Sequence, residues 1–221
     1  MADADRILVR LEEGPGSVTV HLDGGESLTV APDALPANLP AIGGSLGSPL
    51  VHELRAAAAR KLAARDLLAL LDRKRWTTVR LRERLLGRGH PETAVEAVLL
   101  QAERQGLHAD RDFADAFCRD ALRHKQVGRM WLESRLRQKG IDAGLAADVA
   151  ARHLPSDREH EVALEAAASR WRREGAADAR ALGRVQRFLI SRGFPCAMAN
   201  RAARATQPAD SACNSDAEGP S

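Results

Sequence analysis

The sequence predicts a mainly α-helical protein: tandem three-helix modules, three repeats forming an elongated array, preceded by a small β-hairpin or meander. Three observations carry that expectation. Aromatic residues are only 3% of the 221 residues and tyrosine is absent, whereas strands favour aromatic and β-branched side chains. Alanine, leucine and arginine, all strong helix formers, dominate from about residue 53 onward. Finally, one segment recurs three times, closing on Gly89, Gly140 and Gly193, which are 51 and 53 residues apart. A near-constant period of that length is a signature of stacked modules.

The N-terminal stretch, 1–30, reads as strands. Ile7-Leu8-Val9-Arg10-Leu11 runs into the turn signal Glu13-Gly14-Pro15-Gly16. Val18 to Leu22 alternates and meets Asp23-Gly24-Gly25, and Ser27 to Val30 reads as a third short strand. A sheet of that size is marginal alone and needs something to pack on. Residues 31–54 then read as a connector, because four prolines with interspersed glycines over 31–50 break regular structure.

Helical periodicity predicts module 1 over 55–106, with helices near 55–73, 77–88 and 92–105. Module 2 covers 107–154, with helices near 110–125, 128–139 and 143–153. Module 3 covers 155–206, with helices near 158–173, 178–192 and 196–205. In each copy of the repeat an apolar residue, a leucine four later, a basic residue three further on and a glycine line up. They are Leu81, Leu85, Arg88 and Gly89; Leu132, Leu136, Lys139 and Gly140; Val185, Leu189, Arg192 and Gly193. The i, i+4 apolar pair marks one helix face. The basic residue suits the negative helix end, and glycine admits the left-handed cap. A lone three-helix unit buries little apolar surface, so neighbours should share a core. The acidic tail, 207–221, is expected to be disordered.

Net charge is +3, but it is distributed unevenly. Residues 1–54 carry 2 basic and 8 acidic side chains, 55–206 carry 31 and 19, and 207–221 carry none and 3. The middle segment is thus +12 between two acidic ends, an electrostatic footprint for a polyanion or an acidic protein surface. The plainer alternative is a solvated, arginine-rich helical surface. On the first repeat helix Arg80, Arg84 and Arg88 fall at i, i+4 and i+8, a stripe beside the Leu81/Leu85 face. The second copy keeps Arg135 and Lys139 and adds Arg137; the third keeps Arg184 and Arg192 and adds Arg187. These nine side chains are the candidate contacts to phosphates or carboxylates. Few aromatics argue against a stacking platform for single strands, and no recognition-helix signature is evident, so contact independent of sequence is expected.

Phe113 and Phe117, at i, i+4, are expected on the core face. Trp131 takes the slot held by Arg80 and Arg184 in the other copies, and either covers a joint between modules or stands as an exposed contact. Asp110 and Asp112 sit where a helix begins, which suits capping. The chain has no G-x-x-x-x-G-K-[ST], no G-x-G-x-x-G after a strand, no C-x-x-C and no H-E-x-x-H. No cofactor, no metal and no catalytic residue are therefore expected. Cys118, Cys196 and Cys213 are an odd, widely spaced set that fits a reducing compartment. The longest wholly apolar run, Leu67–Leu71, is far short of the ~20 residues of a membrane span. The acidic N-terminus does not read as a secretory signal, so a cytoplasmic protein without membrane attachment is expected.

Three pieces, and a fourth at the close of the repeat region, resemble the RecX family, regulators of the RecA recombinase. Arg-Glu-Arg-Leu-Leu-Gly-Arg-Gly (82–89) is similar to the family's E-L-R-x-K-L-x-x-K-G. Gly106-Leu107-His108-Ala109-Asp110-Arg111-Asp112-Phe113-Ala114 is similar to G-L-[LI]-D-D-x-x-F-A. Leu132 to Ile141 is similar to L-x-x-E-L-x-x-K-G-I, and Phe188 to Phe194 resembles the close of the third module. The pattern covers about 60–206. Ala109, His108 and Ser134 depart from it, at details of helix starts. The resemblance implies a non-enzymatic protein of recombinational DNA repair. It would dock, as a monomer, in the groove of the RecA–DNA filament and modulate, chiefly inhibit, ATPase and strand exchange, with single- or double-stranded DNA as a further partner. Two readings stand beside it: a general helical nucleic-acid-binding protein with no recombinase role, and a helical enzyme whose site assembles from distant residues.

Overall fold

The computed structural model describes residues 5–174 and 176–208; most of the acidic tail lies outside them. The chain is mainly α-helical with a small N-terminal group of antiparallel strands, and it divides into two compact units between Ala109 and Asp110.

In the first unit, β1 (Arg6–Gly14), β2 (Ser17–Leu22) and β3 (Ser27–Val30) form the expected meander. A fourth strand, β4 (Ser45–Leu46), adds to it, giving the antiparallel order β3-β2-β1-β4. β4 pairs Leu46 with Arg6 and Ser45 with Ile7. One face buries Leu8, Val18, Val20, Leu22, Val30 and Leu46. That face packs on Val51, Leu54 and Ala57 of α1 (Ser48–Leu71). A two-pronged ion pair reinforces the seat: Arg55 Nε and Nη2 donate to the Glu26 carboxylate at 2.7 and 2.8 Å.

The connector therefore differs from expectation. It supplies an edge strand, and α1 opens at Ser48 instead of near residue 55. Pro49 is the reason: in the first turn a missing N–H removes no helical bond. The early start lets one 24-residue helix serve two cores. Its first half covers the sheet, and its second half gives Ala63, Leu67 and Leu70 to a core with α2 (Thr78–Leu86) and α3 (Glu92–Arg104).

The second unit contains α4 (Asp110–His124), α5 (Arg129–Gln138), α6 (Ala143–His153), α7 (Ser156–Trp171), α8 (Ala179–Ser191) and α9 (Cys196–Ala205). These six share one continuous core, and its many alanines, among them Ala114, Ala146, Ala166 and Ala199, permit close helix approach. Phe194 and Trp171 are buried within it, and the Trp171 indole N–H donates to the Ala203 carbonyl at 2.9 Å. Phe113 and Phe117 lie at the core margin, half-buried.

The repeated segment ends α2, α5 and α8 in one way. Gly89, Gly140 and Gly193 have φ of 85, 89 and 81°. The next residue, His90, Ile141 or Phe194, donates its N–H to the carbonyl of Leu85, Leu136 or Leu189 at 3.4, 3.1 and 3.2 Å and is itself buried. This is the Schellman closure, with Ile141 and Phe194 as its apolar plug and the His90 ring in that place in the first copy. The helices stop slightly earlier than expected, so Lys139 and Arg192 occupy the C-cap and Arg88 lies beyond α2.

Gly193 has a second task. The N–H of Gly128, just before α5, donates to the Arg192 carbonyl at 2.9 Å. A Cβ on Gly193 would collide with the Trp131 backbone, and one on Gly128 with the Gly193 carbonyl. Beside this contact the fully buried Glu159 of α7 accepts from the Arg129 N–H and from Arg129 Nε, both at 2.8 Å. The carboxylate caps α5 while pairing its first side chain.

Gly89 meets nothing within 4 Å of a built Cβ. Gly89→Ala is thus expected to cost only the backbone term, about 1 kcal/mol. Gly193→Ala adds overpacking and should cost about 2–4 kcal/mol. Urea unfolding midpoints of the two variants check the difference; equal losses would contradict the close-approach role of Gly193.

Candidate polyanion-binding surface

α2, α5 and α8 bury Leu81 and Leu85, Leu132 and Leu136, and Val185 and Leu189. Core packing thereby turns their charged residues outward. The structure sorts the nine candidate cations into three environments instead of one uniform stripe.

Three are neutralised within the molecule. Arg80 pairs with Glu83 at 2.7 Å, Arg88 with Asp66 of α1 at 3.3 Å, and Arg184 with Glu174 at 2.6 Å. Arg88 leaves the expected i, i+4, i+8 stripe because α2 ends at Leu86 and the following turn carries it back toward α1. The same Asp66 carboxylate accepts from the buried His90 ring at 3.0 Å. That hydrogen bond, with Arg88 nearby, holds Asp66 below the usual carboxylate range. Glu174 is held low likewise by the hydrogen bond from Arg184, whose own pKa is raised by it.

Four sit over aromatic rings. The Arg84 guanidinium lies 4.2 Å from the Trp76 centroid, with Lys74 at 4.0 Å. Arg135 lies 5.3 Å from Trp131, and Lys139 5.4 Å from Phe117. Those two rings stack with centroids 6.3 Å apart, so Arg135 and Lys139 are gathered on one aromatic pair. Arg192 lies 5.1 Å from Phe188. The remaining two, Arg137 and Arg187, are exposed and have neither an acidic partner nor a ring among the described residues.

This sorting has a chemical consequence. A ring attracts a cation by about 0.5–1 kcal/mol at an exposed site but occupies none of the guanidinium's N–H donors. A ring-seated arginine is held in place and still able to bind a phosphate or carboxylate. An ion-paired arginine must first leave its carboxylate. Arg84, Arg135 and Arg192, with unpaired Arg137 and Arg187, are therefore the better-equipped members of the set.

The cation–ring pairs went unread in the sequence, although a signal existed: Trp131–Arg135 and Phe188–Arg192 are both spaced i, i+4, which places them on one helix face. Trp131 combines both readings left open for it, being half-buried at the contact with Gly193 and carrying cations on its ring.

Other chemistry is not assembled. Among the described residues no group of three or more His, Cys, Asp or Glu is placed to hold a metal ion, and no helix is long and apolar enough to cross a membrane. Cys118 is buried, which pushes its thiol up to about 11, with Asp115 adding to the shift. Cys196 is exposed. In a Cys213→Ser background, iodoacetamide at pH 8 should alkylate Cys196 in the native chain and Cys118 only after unfolding. Peptide mass spectrometry reads the sites, and native labelling of Cys118 would contradict its burial.

Comparison with known proteins gives concordant results. The family model for "RecX, second three-helix domain" matches residues 110–149. The regulatory protein RecX of Chromohalobacter salexigens is 33% identical over 129 residues, which is 58% of this chain and 82% of that protein. The RecX of Streptomyces coelicolor is 34% identical over 138 residues, 62% of this chain and 73% of its own length. A crystal structure of regulatory protein RecX superposes with a TM-score of 0.71 at 23% identity, covering 87% of this chain and 96% of that one. RecX from Lactobacillus salivarius gives 0.60 at 17% identity, covering 68% and 97%. At those identities the superpositions speak to fold alone.

Proposed function

This chain belongs to the RecX family of regulatory proteins, and from that premise we propose that it regulates RecA by binding the RecA–DNA filament and lowering its ATPase and strand-exchange activities. It acts by occupancy, as a monomer in the cytoplasm, without turning over a substrate of its own. The helix triplets α1–α3, α4–α6 and α7–α9 serve as its modules.

The observation that carries this reading is the sorting of charge on α2, α5 and α8. Several carboxylates of the helical region are engaged with neighbouring cations, as at Glu83, Asp66 and Glu174. What faces outward is a set of arginines either unpaired or seated on rings. Such a surface suits a large polyanionic partner that offers phosphates and carboxylates over an extended length. A general nucleic-acid-binding role, with no recombinase involved, draws on the same charge and differs in stoichiometry. A filament regulator acts at ratios far below the number of DNA sites, whereas simple DNA coating requires saturation.

RecA-catalysed ATP hydrolysis on single-stranded DNA should therefore fall when the protein is added at one chain per many recombinase protomers. Neutralising Arg84, Arg137 and Arg187 together (each Arg→Gln) should raise the concentration needed about tenfold or more, with circular dichroism unchanged. Neutralising ion-paired Arg80 and Arg184 should change it by less than about threefold. No effect below DNA saturation would favour the general binding role. Equal effects of the two variant sets would remove the assignment of contacts.

A further inference from the structure

The second unit also carries a basic trough, and we infer that its occupant is the chain's own acidic tail, residues 209–221, seated along α7 as an autoinhibitory contact. The trough, about 610 Å³, is bounded by the C-terminal ends of α4 and α6, one face of α7 and the end of α8. Its lining holds five Arg or Lys against a single carboxylate, Glu165. Arg158 and Arg173 stand at the two ends of the α7 floor with Glu165 between them, and Arg123, Lys125 and Arg192 stand on the walls.

The tail leaves the fold at one end of this trough. α9 closes against the C-terminal end of α7: the Trp171 indole N–H donates to the Ala203 carbonyl at 2.9 Å, and Gln207 Nε2 donates to the Ala177 carbonyl at 2.6 Å. Pro208 follows directly, so the chain departs from the end of α7 that carries Arg173.

Charge and spacing match as well. Residues 209–221 hold Asp210, Asp216 and Glu218 and no Lys or Arg. Arg158 and Arg173 are about 22 Å apart at the helical rise. Asp210 and Asp216 are six residues apart, and an extended chain of that length spans about 20–22 Å. With Asp210 at Arg173, Asp216 falls at Arg158. The run between them, Ser211 to Ser215, is uncharged, so no tail carboxylate opposes Glu165 midway along the floor. The cations are equipped to receive it. Arg123 and Arg173 are exposed and form no ion pair among the described residues. Lys125 and Arg192 rest on Trp131 and Phe188 at 5.1 Å each, which leaves their N–H donors open. Arg158 shares its charge with Glu161 at 2.6 Å and keeps further donors.

Tethering supplies what the individual contacts lack. Exposed ion pairs are weak one by one, but a short tether holds the tail near the trough at an effective concentration on the order of millimolar. The seat is therefore exchangeable and needs no regular structure in the tail. It turns away small anions and yields to a partner that offers many anionic groups at once. The inference rests on this chain alone and does not depend on RecA.

The test uses the full chain without any partner. A nitroxide on Cys213 in a Cys196→Ser background, with Cys118 buried, should broaden the backbone amides of 123–125 and 158–165, far from the tether, and spare those of α1 to α3. Broadening there should disappear at 1 M salt, where charges are screened beyond about 3 Å, and in the Asp210→Asn, Asp216→Asn, Glu218→Gln variant. Carbodiimide coupling of the unmodified chain should join the tryptic peptide 205–221 to Lys125 in preference to Lys61, Lys74 or Lys139. Arg123→Gln with Arg173→Gln should lower that yield about threefold or more. The inference is overturned if broadening stays confined to residues beside the tether, if salt leaves it unchanged, or if coupling bypasses Lys125. Equal broadening in isotope-labelled chains mixed with spin-labelled, unenriched ones would place the tail on a neighbouring copy and overturn the intrachain seat.

Discussion

The backbone contact between the start of α5 and the end of α8 is the constraint on which the second unit depends. Gly128 and Gly193 meet with no room for a side chain on either, and the Gly193 closure already requires a left-handed backbone. Two demands thus fall on one residue: the helix must end there, and its neighbour must fit against that end. The buried Glu159 fixes the same junction from a third helix, capping α5 through the Arg129 N–H. Such a carboxylate is stable in the core only with its hydrogen bonds complete, so α5, α7 and α8 are held in one arrangement. The position of Trp131, and hence of the cations on its ring, follows from it.

Ion pairs in this molecule act mainly by subtraction. Exposed pairs such as Arg80–Glu83 or Arg158–Glu161 contribute little to stability. Each matches one carboxylate with one arginine at the surface, so the arginines outside such pairs stand uncompensated. Aromatic rings complete the selection by orienting several of those arginines without satisfying them. The few aromatic residues of the chain therefore matter more through their placement than their number suggests.

Much of the helical fold was legible from punctuation. The helix over 143–153 follows directly from the Gly140 stop before it, and α3 from Pro91 at its start. The start of α1 is not legible because Pro49 has the same signature as a breaker and as a first-turn residue. The two-residue β4 has no periodicity of its own and exists only by pairing with β1. On the surface, the identity of the basic residues was legible but their environments were not. Arg88 and Arg184 reach carboxylates 22 and 10 residues away in sequence.

The central claim is that the outward arginines of α2, α5 and α8 grip an extended filament. Cryo-electron microscopy of RecA on single-stranded DNA with this chain bound tests it most directly. The account predicts helical density in the filament groove, with Arg84, Arg137 and Arg187 within reach of recombinase carboxylates or DNA phosphates. Density with those helices facing solvent, or a chain bound only to DNA outside the filament, would contradict it.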